Sequence, residues 1–309
     1  MAGSGSGIFQ EPHDYCAQLP GTRAFLLVTP APFQARLTWV DLRRLQLLRA
    51  QETVARVRYI SLPPERAFVT FPIDGDKTLI CAGIEMRSGD MVFHAFGERF
   101  HERTIAPSRW GTLSMRVEAL SLFGRTLTGD DIAPPPTGLV IHPKSTDRLQ
   151  LLRLHARASR MVETKIELIG HPEVSRALEE DLIWALVTCL SADGRQDVRS
   201  LREPLMVQFE EALAAHSDHI PGVTEICDII GTSQSILQSC CSNVLGMNPA
   251  RYLYLRRLTL VQGLLTRTGE GHASTSDLPR QHGFADVHHF VTEYQRAFGS
   301  LPAQFKWDS

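Results

Sequence analysis

The residues best suited to metal chemistry in the first third of the chain are two histidines and a glutamate. His94 and His101 stand seven positions apart, and Glu102 follows directly. Imidazole and carboxylate ligands together suit zinc or non-haem iron. Sites of that kind usually contain a closely spaced His-x-His pair, which this spacing does not supply. We therefore expect no metal ion, no other cofactor and no catalysis here.

Three more histidines, His282, His288 and His289, lie near the C-terminus. Adjacent positions on a helix point in different directions, and no acidic or thiol group is suitably spaced to complete a metal site. Surface histidines close to phosphate groups are the simpler interpretation. Their charge changes near neutral pH, so they could strengthen phosphate contacts under mildly acid conditions.

The six cysteines include no CxxC pair, which argues against a zinc or thioredoxin-like site. We expect free thiols. Adjacent Cys240 and Cys241 could form a redox switch, but the interpretation that we favour is a pair of small apolar residues on the buried side of a helix. Ser108 and Ser114 lie in no motif of a nucleophilic serine.

The chain that positions these residues has 309 amino acids, enough for two domains. Its composition, 43% apolar and 21% charged with a net charge of -2, is that of a globular protein. The first residues lack the cationic and apolar segments of a secretory signal, and the apolar runs are too short to cross a bilayer. We therefore expect a cytoplasmic protein without membrane contact.

The first 140 residues predict a β-rich module, because short apolar runs alternate with turn residues as in a small barrel or sandwich. Residues 38–51 are expected to interrupt it with a helix, since Leu42, Leu45 and Leu48 recur at helical spacing. The aromatic side chains of the module could line an effector pocket or simply belong to the core. The predicted strands are 24–28, 67–71, 78–82 and 90–94, and the aromatic residues are Phe25, Phe71, Phe93, Phe96 and Trp110.

Three consecutive prolines within residues 133–138 indicate a connector, after which the periodicity becomes helical. One helix is expected to start at Ser145 or Thr146, and a second near Pro172 has leucines at fourfold spacing. This pair could close the core of the front module or join two subunits. The apolar positions are Leu149, Leu152 and Ala156 in the first helix and Leu178, Leu182, Leu186 and Leu190 in the second.

A third helix around 204–216 leads into the last part of the chain. The sequence therefore predicts a β-rich sensor module at 1–140, a helical linker or dimerisation segment at 141–217 and a C-terminal domain at 218–309.

Residues 223–247 show the pattern helix, tight turn, helix. The first helix ends at Gly231, where the turn needs a residue without a side chain, and Thr232 or Ser233 caps the second. Two short helices joined in this way can place the second in the major groove of DNA. The buried side of the second helix is expected to contain Ile236, Leu237, Cys240, Cys241 and Val244.

A second copy of this pattern follows about fifty residues later. Ser276 is expected to start a helix, Gly283 ends it, and Ala285 or Asp286 starts another. Between the copies, residues 249–265 predict one long helix. Two recognition helices held apart by a rigid helix could enter successive major grooves, about 34 Å apart on one face of the DNA.

The two copies together resemble the C-terminal domain of the AraC/XylS family of transcriptional regulators, over residues 221–305. A weaker resemblance, in residues 88–93, is to a sheet turn of the family's cupin-like sensor domain. The resemblance implies an α+β protein, with an N-terminal cupin-like β module, a helical linker region and an all-α C-terminal domain of two helix-turn-helix units joined by a long helix. The matching positions are Gly283, Phe284, Phe290, Tyr294, Phe298, Gly299 and Pro302 in the second unit, and Ser233, Leu237, Gln238, Leu245, Gly246, Asn248, Pro249, Tyr252 and residues 255–258 in the first.

The resemblance also implies a transcription activator and not an enzyme. Its partners would be double-stranded DNA, a small-molecule effector and a second copy of the chain, with RNA polymerase open as a further partner. The recognition helices would contact bases, while arginines would hold the phosphate backbone. The implied DNA-facing residues are Ser233, Gln234, Ser235, Gln238 and Ser239 in the first unit and Asp286, His288, His289 and Thr292 in the second, and the implied phosphate contacts are Arg251, Arg256 and Arg257.

The C-terminal domain is less basic than DNA-binding domains usually are. From residue 218 onward it has seven Lys or Arg and eight Asp or Glu, a net charge of -1. Asp286 is expected to cap its own helix. Modest monomer affinity with dependence on dimerisation, a shallow salt dependence, or both should follow. The alternative is a regulator-derived protein that has lost DNA reading and binds only a ligand or another protein.

Overall fold

A computed structural model describes residues 3–29, 31–73, 79–191, 195–200, 204–216, 220–267, 278–284, 286–298 and 301–302, with the backbone alone at 195–198, 200, 266 and 267. Some predicted features lie outside the described residues. They are the helix start at Ser276, the helix start at Ala285, Gly299 of the second unit and the domain boundary at 217 and 218.

Two antiparallel sheets form the front of the molecule. The first sheet has the strand order β1-β3-β4-β11-β6-β9-β12-β13 and the second has the order β2-β5-β10-β7-β8. The strands are β1 (Gly5–Phe9), β2 (Thr22–Leu27), β3 (Ala35–Asp41), β4 (Leu45–Glu52), β5 (Arg56–Ser61), β6 (Arg66–Pro72), β7 (Leu79–Cys81), β8 (Ile84–Glu85), β9 (Met91–Phe93), β10 (Arg99–Thr104), β11 (Ser108–Arg116), β12 (Leu139–Pro143) and β13 (Arg195–Ser200).

Helices cover both outer faces of this pair of sheets and make up the C-terminal part. The helices are α1 (Pro12–Ala17), α2 (Val117–Leu127), α3 (Ser145–Thr164), a 3-10 turn (Ile166–Leu168), α4 (Pro172–Leu190), α5 (Pro204–Ala215), α6 (Val223–Ile230), α7 (Gln234–Leu245), α8 (Pro249–Arg267), α9 (Leu278–Gln281) and α10 (Val287–Phe298). The α+β class is confirmed.

Residues 38–51 form a β-hairpin and not the predicted helix. Strands β3 and β4 pair antiparallel from Ala35 with Glu52 to Asp41 with Gln46. Both faces of this hairpin are covered. Leu47 packs with the α-helices on one face, and Leu48 packs with the second sheet on the other. A strand buried on two sides carries apolar residues on both, so its leucines can mimic helical spacing. That coincidence explains the wrong prediction.

The outer face of the first sheet packs against α2, α3 and α4 in one apolar core, so the helical pair closes the front module's own core. The leucines of α4 are buried as predicted. On α3 the predicted apolar face is wrong at Leu149, which is 46% exposed, whereas Leu152 packs partly buried against this core and Leu151 is fully buried. Strand β12, which precedes these helices, spans the predicted boundary at 140, and β13, which follows them, pairs with it in the same sheet.

The outer face of the second sheet packs against the C-terminal helices. Leu26 of β2 and Val57 of β5 belong to one apolar cluster with α5, α6, α7 and the first half of α8. The second half of α8 packs instead with α10 in a separate cluster that includes Phe290 and Tyr294. The molecule is therefore layered in the order α2–α4, first sheet, second sheet, C-terminal helices.

Candidate nucleic-acid interface

The first helix-turn-helix unit consists of α6 and α7. Gly231 follows α6 with a φ of 66°, a left-handed conformation that favours glycine and ends the helix. Ser233 caps α7, because its hydroxyl accepts a hydrogen bond from the backbone N–H of Ile236 at 3.2 Å. Both the turn and the cap are confirmed at the positions that the sequence predicted.

The recognition helix α7 buries Leu237, Cys241, Val244 and Leu245. Of the residues predicted on that buried side, Ile236 does not lie there, since it is 57% exposed. Cys240 is partly buried and packs at the edge of the apolar cluster. Ile236 is therefore part of the outer surface of the unit.

The five residues proposed to face DNA in this unit, Ser233, Gln234, Ser235, Gln238 and Ser239, are all exposed. The Gln234 amide donates to the hydroxyl of Thr224 on α6 at 2.9 Å, which joins the two helices of the unit. The Ser233 hydroxyl accepts the N-cap hydrogen bond of α7. A Gln238 amide at this exposed position can form paired hydrogen bonds with an adenine edge.

The second unit consists of α9 and α10. Asp286 caps α10, since its Oδ1 accepts hydrogen bonds from the backbone N–H groups of His289 at 3.1 Å and His288 at 2.8 Å. These bonds lower the pKa of the Asp286 carboxyl below its ordinary value. The capping role expected for Asp286 is thus confirmed. His288, His289 and Thr292 are exposed, and the Thr292 hydroxyl donates to the His288 carbonyl at 2.9 Å.

Two of the three arginines proposed to hold phosphate lie on α8 and contact the second unit. Arg251 is 44% exposed and pairs with Glu293 of α10 at 3.4 Å, and its guanidinium lies 5.4 Å from the centre of the Tyr254 ring. Arg257 is partly buried close to Gly283 at the turn of the second unit. Both therefore help to seat the second unit on α8.

Residues 226–307 match a protein-family model described as "Helix-turn-helix domain". The C-terminal region is an AraC-type helix-turn-helix domain. The resemblance found in the sequence is therefore confirmed for this region.

A probable thc operon regulatory protein of Rhodococcus erythropolis is 27% identical to the chain over 158 residues, which cover 50% of this chain and 48% of that protein. The match thus spans about half the length of this curated relative. Among solved structures, the AraC-like transcriptional activator CuxR has 18% identity and a TM-score of 0.43, over 84% of this chain and 94% of its own. Fatty-acid-bound ToxT from Vibrio cholerae has 11% identity and a TM-score of 0.29, over 84% and 93%.

Arg256, the remaining arginine of the three proposed to hold phosphate, points towards α5 and not towards the second unit. Its guanidinium lies 3.2 Å from a carboxylate oxygen of Glu210 on α5, and only 20% of its side chain is exposed. In this arrangement the charge is neutralised within the protein, so the predicted phosphate role of Arg256 does not fit unless the contact opens. The sequence could not reveal this, because Glu210 lies outside the family motif.

Glu210 is the centre of a buried cluster, formed with His101, Tyr252 and Arg256 and called here the Glu210 cluster. The carboxylate is 2% exposed and lies 3.1 Å from His101 Nε2 of β10, and the Tyr252 hydroxyl donates to it. Burial by itself raises the pKa of Glu210, but Arg256, His101 and Tyr252 together outweigh it and hold the pKa below its ordinary value. One ionised carboxylate thus joins the front module, α5 and α8.

Further contacts join the same strand to the first recognition helix. Arg103 Nε of β10 donates to the Val244 carbonyl near the end of α7 at 3.1 Å. Gly83, in the turn between β7 and β8, lies so close to Asn243 that a Cβ there would stand 2.7 Å from the amide nitrogen. The second sheet therefore holds the C-terminal end of α7 as well as α8.

The two histidines considered for metal chemistry lie in different environments. His94 Nδ1 is 2.7 Å from Glu98, and its ring stacks on Phe100. His101, by contrast, belongs to the Glu210 cluster on the outer face of the second sheet. Within the described ranges no group of three or more His, Cys, Asp or Glu side chains is placed to hold a metal ion. Across the same ranges, no helix combines the length and apolarity of a bilayer span.

Proposed function

We propose that the chain is a DNA-binding transcriptional activator whose two recognition helices, α7 and α10, enter successive major grooves. The observation that carries this proposal is the arrangement around α8. Its first half packs with the first unit and its second half with the second, while both recognition helices keep an exposed polar side. A helix of 19 residues is about 28 Å long, close to the spacing of one DNA turn.

The front module is proposed to control this reading through a small-molecule effector. The Glu210 cluster and the Arg103 contact join strand β10 to both helices that would position the first unit on DNA. A ligand that shifts β10 would therefore change the position of α7 and the availability of Arg256 together. In this proposal the effector acts by altering that contact.

Dimerisation is proposed to supply the affinity that the recognition helices lack. None of the nine residues proposed to face DNA is Lys or Arg. On the far side of the molecule, the large apolar side chains of Leu149 on α3 and Trp184 on α4 are 46% and 47% exposed, and they are our candidates for the contact between subunits. Analytical ultracentrifugation of the full chain, with Trp184→Glu as the variant, tests whether this surface joins two subunits.

Selection of sites from random duplex DNA with the full chain tests the main proposal. We expect enrichment of two half-sites about 10 base pairs apart, centre to centre. Gln238→Ala should relax the preference at one base pair, at a cost of about 1–3 kcal/mol for the preferred site. Gln150→Ala, an exposed glutamine on α3, is the matched control and should change neither. In vitro transcription from a promoter carrying the selected site should then increase when the protein is added.

A second candidate function is a ligand-binding or protein-interaction module without DNA reading. The exposure of Ile236 at the start of α7, beside uncharged neighbours, favours this candidate. The same selection experiment separates the two candidates. Absence of any enriched sequence, at low as well as physiological salt, would support the second and reject the first.

A further inference from the structure

A cavity in the front module consists of two adjoining chambers. The outer chamber lies between the first sheet and residues 17–20, and the inner chamber lies between the two sheets. The outer chamber has a volume of about 240 Å³ and opens beside Trp39, Asp41 and Gln46. The inner chamber, of about 20 Å³, is as large as one water molecule and ends at Arg58 and Trp110. Both are lined by Pro20, Leu48, Phe68 and Thr112. They therefore form one path from the surface to the interior.

The inner end of this path has two hydrogen-bond donors that reach no acceptor among the described residues. They are Arg58 Nε and Trp110 Nε1, on side chains that are 5% and 1% exposed. The guanidinium lies 4.6 Å from the centre of the Trp110 ring, so the two donors belong to one site. Because a buried donor without an acceptor is destabilising, this pair favours a molecule that supplies one.

The charges around these donors are already balanced. Arg56 contacts Glu52 at 3.0 Å and Glu102 at 2.6 Å, and Arg58 contacts Glu102 at 2.9 Å. Burial raises the pKa of Glu102, but the two arginines outweigh it and lower the pKa below its ordinary value. Two cations thus face two anions in a buried site. A ligand carboxylate would add an uncompensated negative charge, which is costly in such surroundings.

We propose that this cavity binds an uncharged, largely apolar molecule whose carbonyl or similar acceptor receives hydrogen bonds from Arg58 Nε and Trp110 Nε1. The acceptor fills the inner chamber, while the apolar body lies in the outer chamber against Leu48 and Phe68. This inference rests on the proposed effector role of the front module and names the chemical class of that effector.

Three probes of matched size test the proposal on the intact protein: acetophenone, which is neutral with an acceptor; isopropylbenzene, which has none; and benzoate, which is charged. The readout is the indole N–H resonance of Trp110 in ¹H–¹⁵N spectra, assigned by its loss in Trp110→Phe. We expect a saturable shift with acetophenone, and binding at least about tenfold weaker for each of the other two, because one lacks the acceptor and the other adds a charge.

Three outcomes would overturn the proposal. They are no saturable shift with acetophenone, equal affinity for isopropylbenzene, and tighter binding of benzoate. Trp110→Phe removes one of the two donors and leaves Arg58 Nε, so in that variant the preference for acetophenone over isopropylbenzene should become smaller, as measured by calorimetry. No DNA is present in these measurements. A failure here therefore leaves DNA reading untouched, and a failed site selection leaves the pocket result standing.

Discussion

The two outer faces of the front module are covered in different ways. On the first sheet, α3 and α4 pack through a largely apolar core in which Leu182 is fully buried, and the ion pair of Glu179 on α4 with Arg44 has its arginine side chain 35% exposed. On the second sheet, the AraC-type domain and α5 are held by apolar contacts and by the charged Glu210 cluster. Apolar packing tolerates small shifts without specifying one geometry, whereas a buried ion pair requires all of its partners at once.

This difference separates a permanent contact from an adjustable one. Loss of the packing of α3 and α4 against the first sheet would expose the core of the front module. This packing must therefore persist in every functional state. On the second face, Arg256 is held by the charge of the Glu210 carboxylate, and a DNA phosphate could take the place of that carboxylate. We therefore expect substitutions of buried residues on the first face to change stability alone, and substitutions on the second face to change stability and DNA binding together.

The largest expected effect comes from Glu210→Ala. It leaves the largely buried Arg256 without its counter-ion and His101 and Tyr252 without their shared acceptor. We expect a loss of about 4 kcal/mol in the free energy of unfolding, measured by urea denaturation. Arg256 is then free to contact a DNA phosphate. The slope of log binding constant against log salt concentration, measured on the folded fraction, should therefore become steeper by about one counterion.

The neighbouring substitution Glu211→Ala is the matched control. Glu211 pairs with Arg99, and the two side chains are 50% and 45% exposed, so this surface ion pair contributes about 0–1 kcal/mol. If the two variants lost equal stability, or if Glu210→Ala left the salt dependence unchanged, the second face would be no different from an ordinary packed surface.

Leu182→Ala tests the apolar face. Leu182 is fully buried between α4 and the first sheet, and its truncation should cost about 3 kcal/mol in the free energy of unfolding. Leu122 on α2, which is 57% exposed, is the control, and Leu122→Ala should remain within about 0.5 kcal/mol of the wild type. DNA affinity of the folded protein should be unchanged in both. A change in salt dependence with Leu182→Ala would contradict the division between the faces.

The two faces also differ in how far the sequence could predict them. The leucines of α4 and the caps at Ser233 and Asp286 are local signals, and each was found where the sequence placed it. The Glu210 cluster joins residues 109 positions apart in the case of His101, so no local pattern marks it. Residues 38–51 were misread because both faces of that hairpin are buried, which removes the alternation that identifies a strand.

The next largest expected effect is a pH dependence of stability that comes from the first face, where His155 is buried. Burial lowers the pKa of His155, on α3, to about 3, and its Nε2 hydrogen-bonds to the Leu48 carbonyl. The unfolded chain has a histidine pKa of about 6.5, so it takes up the proton first, and this contribution to stability falls as pH drops below that value. Between pH 7.5 and 5 the loss should be about 2 kcal/mol, at 1.36 kcal/mol per pH unit below 6.5.

The variant His155→Gln keeps a donor for Leu48 but removes the titrating group. In this variant the free energy of unfolding should no longer show the decrease that His155 causes between pH 7.5 and 5. Glu210 adds no slope in that window, because its lowered pKa keeps it ionised until the pH falls below the ordinary value of a glutamate. A variant as pH-sensitive as the wild type would place the titrating group elsewhere.

The smallest expected effect concerns the link between β10 and the first recognition helix. Arg103→Ala removes the hydrogen bond to the Val244 carbonyl and should cost about 1 kcal/mol in the free energy of unfolding. Arg99→Ala, four positions earlier on the same face of the strand, removes only a surface ion pair and is the control. Amide hydrogen exchange should accelerate at the C-terminal end of α7 in the first variant alone, because local opening there loses a constraint. If α7 exchanged at the same rate in both variants, strand β10 would hold the AraC-type domain through the Glu210 cluster and not through its recognition helix.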